Sequence, residues 1–224
     1  MRMRGAALGA ILAVAALGAA CGGGSESRVI DQYFNALRAN DNTTLTSFAA
    51  VAFDKKVDAW KIRSSSPETR SPATLPDLAK KVTDLEAELA ANKKAAGAYS
   101  LEKYSDIDKV KELQKAGKPV SGNLKDVADK WGQFNDKDRE LKKQVALAKA
   151  ALEREKRNAT LSVGQQEDVA NLSGEVVSKT VDVDLTIGGQ VQPYVMTLRK
   201  YELSGGSGPR QVSRWVIQNI TPKG

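Results

Sequence analysis

The sequence predicts an α+β fold in which N-terminal helices pack on a curved antiparallel sheet, interrupted by a long antiparallel helical hairpin. Three observations predict it. Apolar residues recur at alternating spacings of 3 and 4 from Leu75 to Leu113 and again from Leu124 to Ala159. From Val177 onward the period changes to two. Ahead of both stands a short amphipathic helix, with Val29, Ile30, Tyr33, Phe34 and Leu37 on one face.

Residues 1–21 read MRMRGAALGAILAVAALGAAC. Arg2 and Arg4 give a positive start, an apolar run too short to span a bilayer follows, and Gly18, Ala19 and Ala20 lead directly to Cys21. This resembles the lipobox of bacterial lipoproteins, with Leu17 four residues before the cysteine where the family places it three before. The resemblance implies cleavage between Ala20 and Cys21 and acylation of the Cys21 sulfur. It also implies residence in the cell envelope, lipid-anchored to the outer face of the cytoplasmic membrane or to the outer membrane. Gly22, Gly23, Gly24 and Ser25 form a flexible tether.

The expected organisation is therefore a signal peptide at 1–20 and a lipidated tether at 21–26. A split α+β domain at 27–63 plus 160–224 encloses the hairpin at 74–159. Asp41 ends the first helix, Leu45 and Phe48 mark a second helix, and Phe53 to Ile62 reads as a strand. Ser64 to Pro72 reads as a polar linker.

In the hairpin the count from Leu75 passes through Leu78, Val82, Leu85, Leu89, Asn92, Ala96, Tyr99, Lys103, Asp106, Val110 and Leu113. The count from Leu124 passes through Val127, Trp131, Phe134, Asp138, Leu141, Val145, Ala148, Leu152, Glu155 and Ala159. Such spacing keeps one seam turned toward a partner helix. Gly117 to Gly122, with Pro119, cannot continue a helix, so the arms fold back on each other. Thr74 and Asn123 are the expected caps. A constant register set by Leu113 opposite Leu124 places Leu85 opposite Leu152, Asn92 opposite Val145 and Tyr99 opposite Asp138. Gly97, Gly132 and the polar seam positions predict a kink near the middle. The hairpin would reach about 55 Å. The tip lysines Lys109, Lys111, Lys115, Lys118 and Lys125 read as a solvated face.

Beyond it, Val177, Val181, Val183, Leu185 and Ile187 alternate with polar residues, Gly188-Gly189 turns the chain, and a strand from Val191 to Leu203 follows. A turn from Ser204 to Pro209 precedes a last strand with Trp215, Ile217 and Ile220. Val29 to Leu37 with Asp41 and Leu45, together with Leu198-Arg199-Lys200 and Arg214 to Ile217, resembles the nuclear transport factor two-like superfamily. That likeness implies a cone of antiparallel sheet around helices, and it leaves the hairpin as an insertion.

The absences restrict function most. The chain has one cysteine and no histidine, which excludes an internal disulfide, the usual zinc ligands and a histidine base. Its net charge of +7 arises from basic residues interleaved with acidic ones, unlike a nucleic-acid stripe. Asp182 and Asp184 share the polar face of a strand. Ser100-x-x-Lys103 matches a serine acyltransferase spacing but lacks its companion motifs. Tyr33, Tyr194 and Tyr201 are the pocket candidates. We expect no catalytic residue, metal or cofactor and no nucleic-acid partner. The expectation is a membrane-anchored, non-enzymatic binding or scaffold module meeting a protein or cell-wall partner through the hairpin. The alternative is a small-ligand or isomerase-like pocket in the cone.

Overall fold

The computed structural model describes residues 24–164, 169–204 and 213–224. The element order is α1 (Ser25–Arg38), α2 (Asn42–Phe48), β1 (Ala59–Ser65), β2 (Thr69–Pro72), α3 (Leu75–Glu102), α4 (Tyr104–Lys115), α5 (Asn123–Val163), a single 3₁₀ turn (Val169–Asn171), β3 (Ser173–Ile187), β4 (Gln190–Ser204) and β5 (Val216–Pro222). The α+β class is as the sequence predicts.

The five strands form one open antiparallel sheet. Its long ribbon is β3 paired with β4 in a single register from Ser173↔Ser204 to Ile187↔Gln190, closed by Gly188 and Gly189, both at positive φ. β5 lines the far edge of β4. The other edge of β3 carries two short strands end to end, β1 on residues 181–186 and β2 on residues 175–178. The stretch read as a polar linker is thus partly a strand. Its residues are exposed, so they carry no alternation, and their pairing is visible only in three dimensions. β1 likewise starts at Ala59 rather than Phe53. The segment before it is held by one backbone bond at each end, Ala50 N–H to the Ile217 carbonyl and Asp58 N–H to the Thr186 carbonyl, each 2.8 Å.

The ribbon buries opposite faces at its two ends. Val177, Val181, Val183 and Leu185, with Tyr194, Met196 and Leu198, point to one face. There Ile30, Tyr33 and Phe34 of α1 and Phe48 of α2 complete the main core. Trp60 Nε1 donates to Asp31 at 2.8 Å, and Lys179 pairs with Glu26 at 2.8 Å, fixing α1 on the sheet. At the other end Val176, Tyr201 and Leu203 point to the opposite face and form a second cluster with Leu75, Ala159 and Val163. That cluster seats the base of the hairpin.

Gly174 lies where the ribbon passes under this base. Its φ is 149°, and an added Cβ would stand 2.2 Å from the Glu202 carbonyl oxygen. Gly174→Ala is expected to cost about 1–3 kcal/mol, since backbone on both sides must move. A lower urea midpoint at unchanged slope would register it.

Alkali should unfold the protein through a buried phenol. Burial pushes the Tyr33 hydroxyl up to about 12 from its usual 10. The unfolded chain releases that proton first, so stability falls as pH rises from 10 toward 12. A phenolate step at 295 nm that coincides with loss of ellipticity is the expected outcome.

Candidate functional site

Every position of the 3 and 4 count, in both arms, is buried or half-buried. Leu75 and Ala159 are fully buried, Val82, Val110, Val127, Leu141, Val145 and Ala148 are buried along the seam, and Leu78, Leu85, Leu89, Leu113, Leu124 and Leu152 are half-buried. Low numbers of α3 meet high numbers of α5. Lys149 pairs with Glu86 at 2.6 Å and Lys137 with Glu88 at 2.9 Å. The helices are antiparallel.

At several contacts the register departs from the one extrapolated from the loop, although the Lys149–Glu86 pair keeps it to within two residues. The Asn92 amide donates to the Phe134 carbonyl at 3.2 Å, so Asn92 meets Phe134 rather than Val145. Tyr99 packs on the Phe134 ring, with centroids 5.6 Å apart, rather than on Asp138. Leu152 packs against the basal cluster that holds Leu75. At Lys103, φ −108° and ψ 22° interrupt the helix and separate α3 from α4. Gly97 and Gly132 sit inside unbroken helices, so the break follows the polar seam position and not the glycines. α4 still buries Ile107 and Val110 as it packs on α5.

The caps also differ from expectation. Gly122, at φ 60°, precedes α5, and Asn123 is its first helical residue. Thr74 precedes α3 without a side-chain cap. At the loop the Lys118 N–H returns to the Leu113 carbonyl at 2.9 Å past Gly117 at φ 65°, a Schellman-type end.

At the elbow Leu101 is 83% and Tyr104 71% exposed, two large apolar side chains open to solvent, and Leu147 of α5 is also exposed. Lower down, charges pair within the arm, as in Lys80–Asp84, Lys142–Asp138 and Arg139–Asp136. At the tip Lys125 pairs with Asp129, whereas Lys109, Lys111, Lys115 and Lys118 have no carboxylate partner among the described residues.

The base is locked by groups that no local pattern marks. The buried Ser162 hydroxyl accepts from the Tyr201 N–H at 2.9 Å and donates to the Arg214 carbonyl at 2.8 Å. Arg214 Nε donates to the Leu161 carbonyl, and its Nη2 to the Ser47 carbonyl. A long-range arginine thereby supplies the positive charge that the last turn of α5 lacks. The Tyr201 hydroxyl donates to Glu155 at 2.9 Å, and burial, reinforced by the Glu155 charge, raises its pKa.

The other sequence candidates disperse. Tyr33 donates to the Val51 carbonyl, and the Tyr194 hydroxyl receives Lys55 Nζ at 3.0 Å. With Tyr201 in the second cluster, the three tyrosines do not converge on one cavity. Asp184 binds Arg63, and Asp182 binds Lys223 and Ser64, whose hydrogen bonds hold the Asp182 carboxyl below the usual range. The Lys103 ammonium sits 3.2 Å from Glu102. Ala20 and Cys21 lie outside the described residues. Among those described, no helix is long and apolar enough to cross a membrane, and no three His, Cys, Asp or Glu side chains group as metal ligands.

One hollow stands apart from the arm's seam. About 430 Å³ opens between α2, the segment at 49–53 and the end of α5, walled by Leu37, Leu45, Val51, Phe53 and Leu161, with Arg157 on its lining. A wetter hollow of about 670 Å³ adjoins it across Leu37, Asn42 and Phe53. Set beside known proteins, the chain matches no family model, no curated protein and no solved structure.

Proposed function

We propose that this chain is a lipid-anchored envelope protein that works without catalysis, its body holding a helical arm out toward a protein or cell-wall partner. In this reading Cys21 carries the acyl chains, and the body is a nuclear transport factor two-like domain of helices on an open sheet.

The supporting observation is where the arm spends its interactions. Side-chain hydrogen bonds and ion pairs of residues 80–149 stay within the arm among the described residues, while Leu101 and Tyr104 face solvent at its elbow. A helical pair this long adds nothing to the body's core beyond its base, and exposed apolar pairs on an otherwise charged rod suit a partner.

The test is a photo-crosslinkable phenylalanine analogue at Tyr104 in cells, with one at Lys56 on the body as control. Crosslinks from Tyr104 to one defined species support the reading. They should be lost when the exposed Leu101 is changed to Glu in the same chain, a change that leaves Leu75, Leu152 and Ala159 in place. Equal products from both positions would sink it. The anchor is tested separately, by loss of radiolabelled palmitate in Cys21→Ser.

A further inference from the structure

We infer that the hollow beside α2 is a binding site for a small amphiphile with an anionic head, of the medium-chain carboxylate class, seated between the body and the root of the arm. The site is separate from the elbow and does not depend on the reading given to the arm.

Its walls are apolar side chains from three elements, namely Leu37 of α1, Leu45 of α2 and Leu161 of α5, closed by Val51 and Phe53. A volume of about 430 Å³ falls in the range of sites that enclose small molecules. Arg157 is the one charged residue on the lining. Arg157 is exposed, and its guanidinium has no carboxylate partner among the described residues. An apolar cleft with one uncompensated guanidinium matches an apolar body ending in a carboxylate, which can receive a bidentate pair of N–H donors.

The wall at 51–57 is suited to admit such a molecule. Between the backbone bonds of Ala50 and Asp58 it is held by side chains, through Tyr33 on the Val51 carbonyl, Phe53 edge-on to Tyr194 at 5.4 Å and buried Val57. It can shift without breaking a ladder of sheet hydrogen bonds. Because α5 supplies both Arg157 and Leu161, an occupant would bridge the body and the arm's root.

Calorimetric titration of the full chain with octanoate, octan-1-ol and octylammonium tests this. Octanoate is expected to bind one per chain, and octylammonium at least tenfold more weakly. Arg157→Gln should lower octanoate affinity about tenfold, to the level of octan-1-ol, while leaving octan-1-ol unchanged. Ala52→Phe, which fills the hollow from an exposed lining position, should abolish both at an unchanged melting temperature. Absence of octanoate binding, equal binding of octylammonium, or octanoate affinity indifferent to both substitutions would overturn the assignment. A crosslinking failure at Tyr104 would leave these titrations unaffected, and the reverse also holds.

Discussion

Tyr201→Ala is expected to lower the melting temperature by about 10 °C or more. The side chain is fully buried at the centre of the cluster that joins the ribbon to the hairpin base, among Leu75, Ala159, Val163, Val176 and Leu203. Removing a buried aromatic ring costs about 3–5 kcal/mol, and each kcal/mol moves the midpoint of a chain this size by roughly 2–4 °C. The same change takes the hydroxyl from Glu155, which keeps Arg199 at 3.9 Å as its remaining neighbour. Tyr201→Phe isolates that part and should cost only about 1 kcal/mol. Thermal melts of the pair, followed at 222 nm, separate ring from hydroxyl.

Leu141→Asp should melt the arm and spare the body. Leu141 is 4% exposed in the middle of the α5 seam, and an unpaired carboxylate there costs several kcal/mol. Isolated helices of this composition gain little stability without their partner face. The seam therefore opens as a unit, and much of the helical signal goes with it. Trp131 lies on the arm and Trp60 and Trp215 on the body. In a Trp131→Phe background the emission of the body should stay native while ellipticity falls. A single cooperative loss of both signals would mean that arm and body share one core.

How much of this could be read beforehand depends on whether the governing physics is local. The seam obeys a spacing rule that each helix states alone, so the counts from Leu75 and Leu124 land on covered positions throughout. Register between the arms is a relation across space. Extrapolating it from the loop presumes one unbroken rod, whereas the helix is interrupted at Lys103, a residue with an ordinary helix-compatible side chain. The hint was chemical, in a seam that turns polar at Lys103 and Asp106.

The alternation of β3 was equally plain, but Val176 and Val177 side by side signalled burial on both faces, which a half-buried strand does not need. β2 was hidden because Thr69 to Pro72 is exposed and gains its place only through Glu175 to Ser178. The bonds of Arg214 and Ser162 are hidden in the sequence for the same reason. A single arginine before a strand and a serine near a helix end acquire meaning only when folding brings them together.

The central claim is that residues 75–159 zip against each other and leave the body at their base. Pulsed electron paramagnetic resonance between spin labels at Lys118 in the loop and Thr221 on β5, in a Cys21→Ser background, measures it directly. From Leu152 to Asn123 the helix runs roughly 29 residues at 1.5 Å each, so the account predicts a separation of about 45 Å or more. A narrow distribution below about 30 Å would mean that the arm lies back along the body, contradicting it.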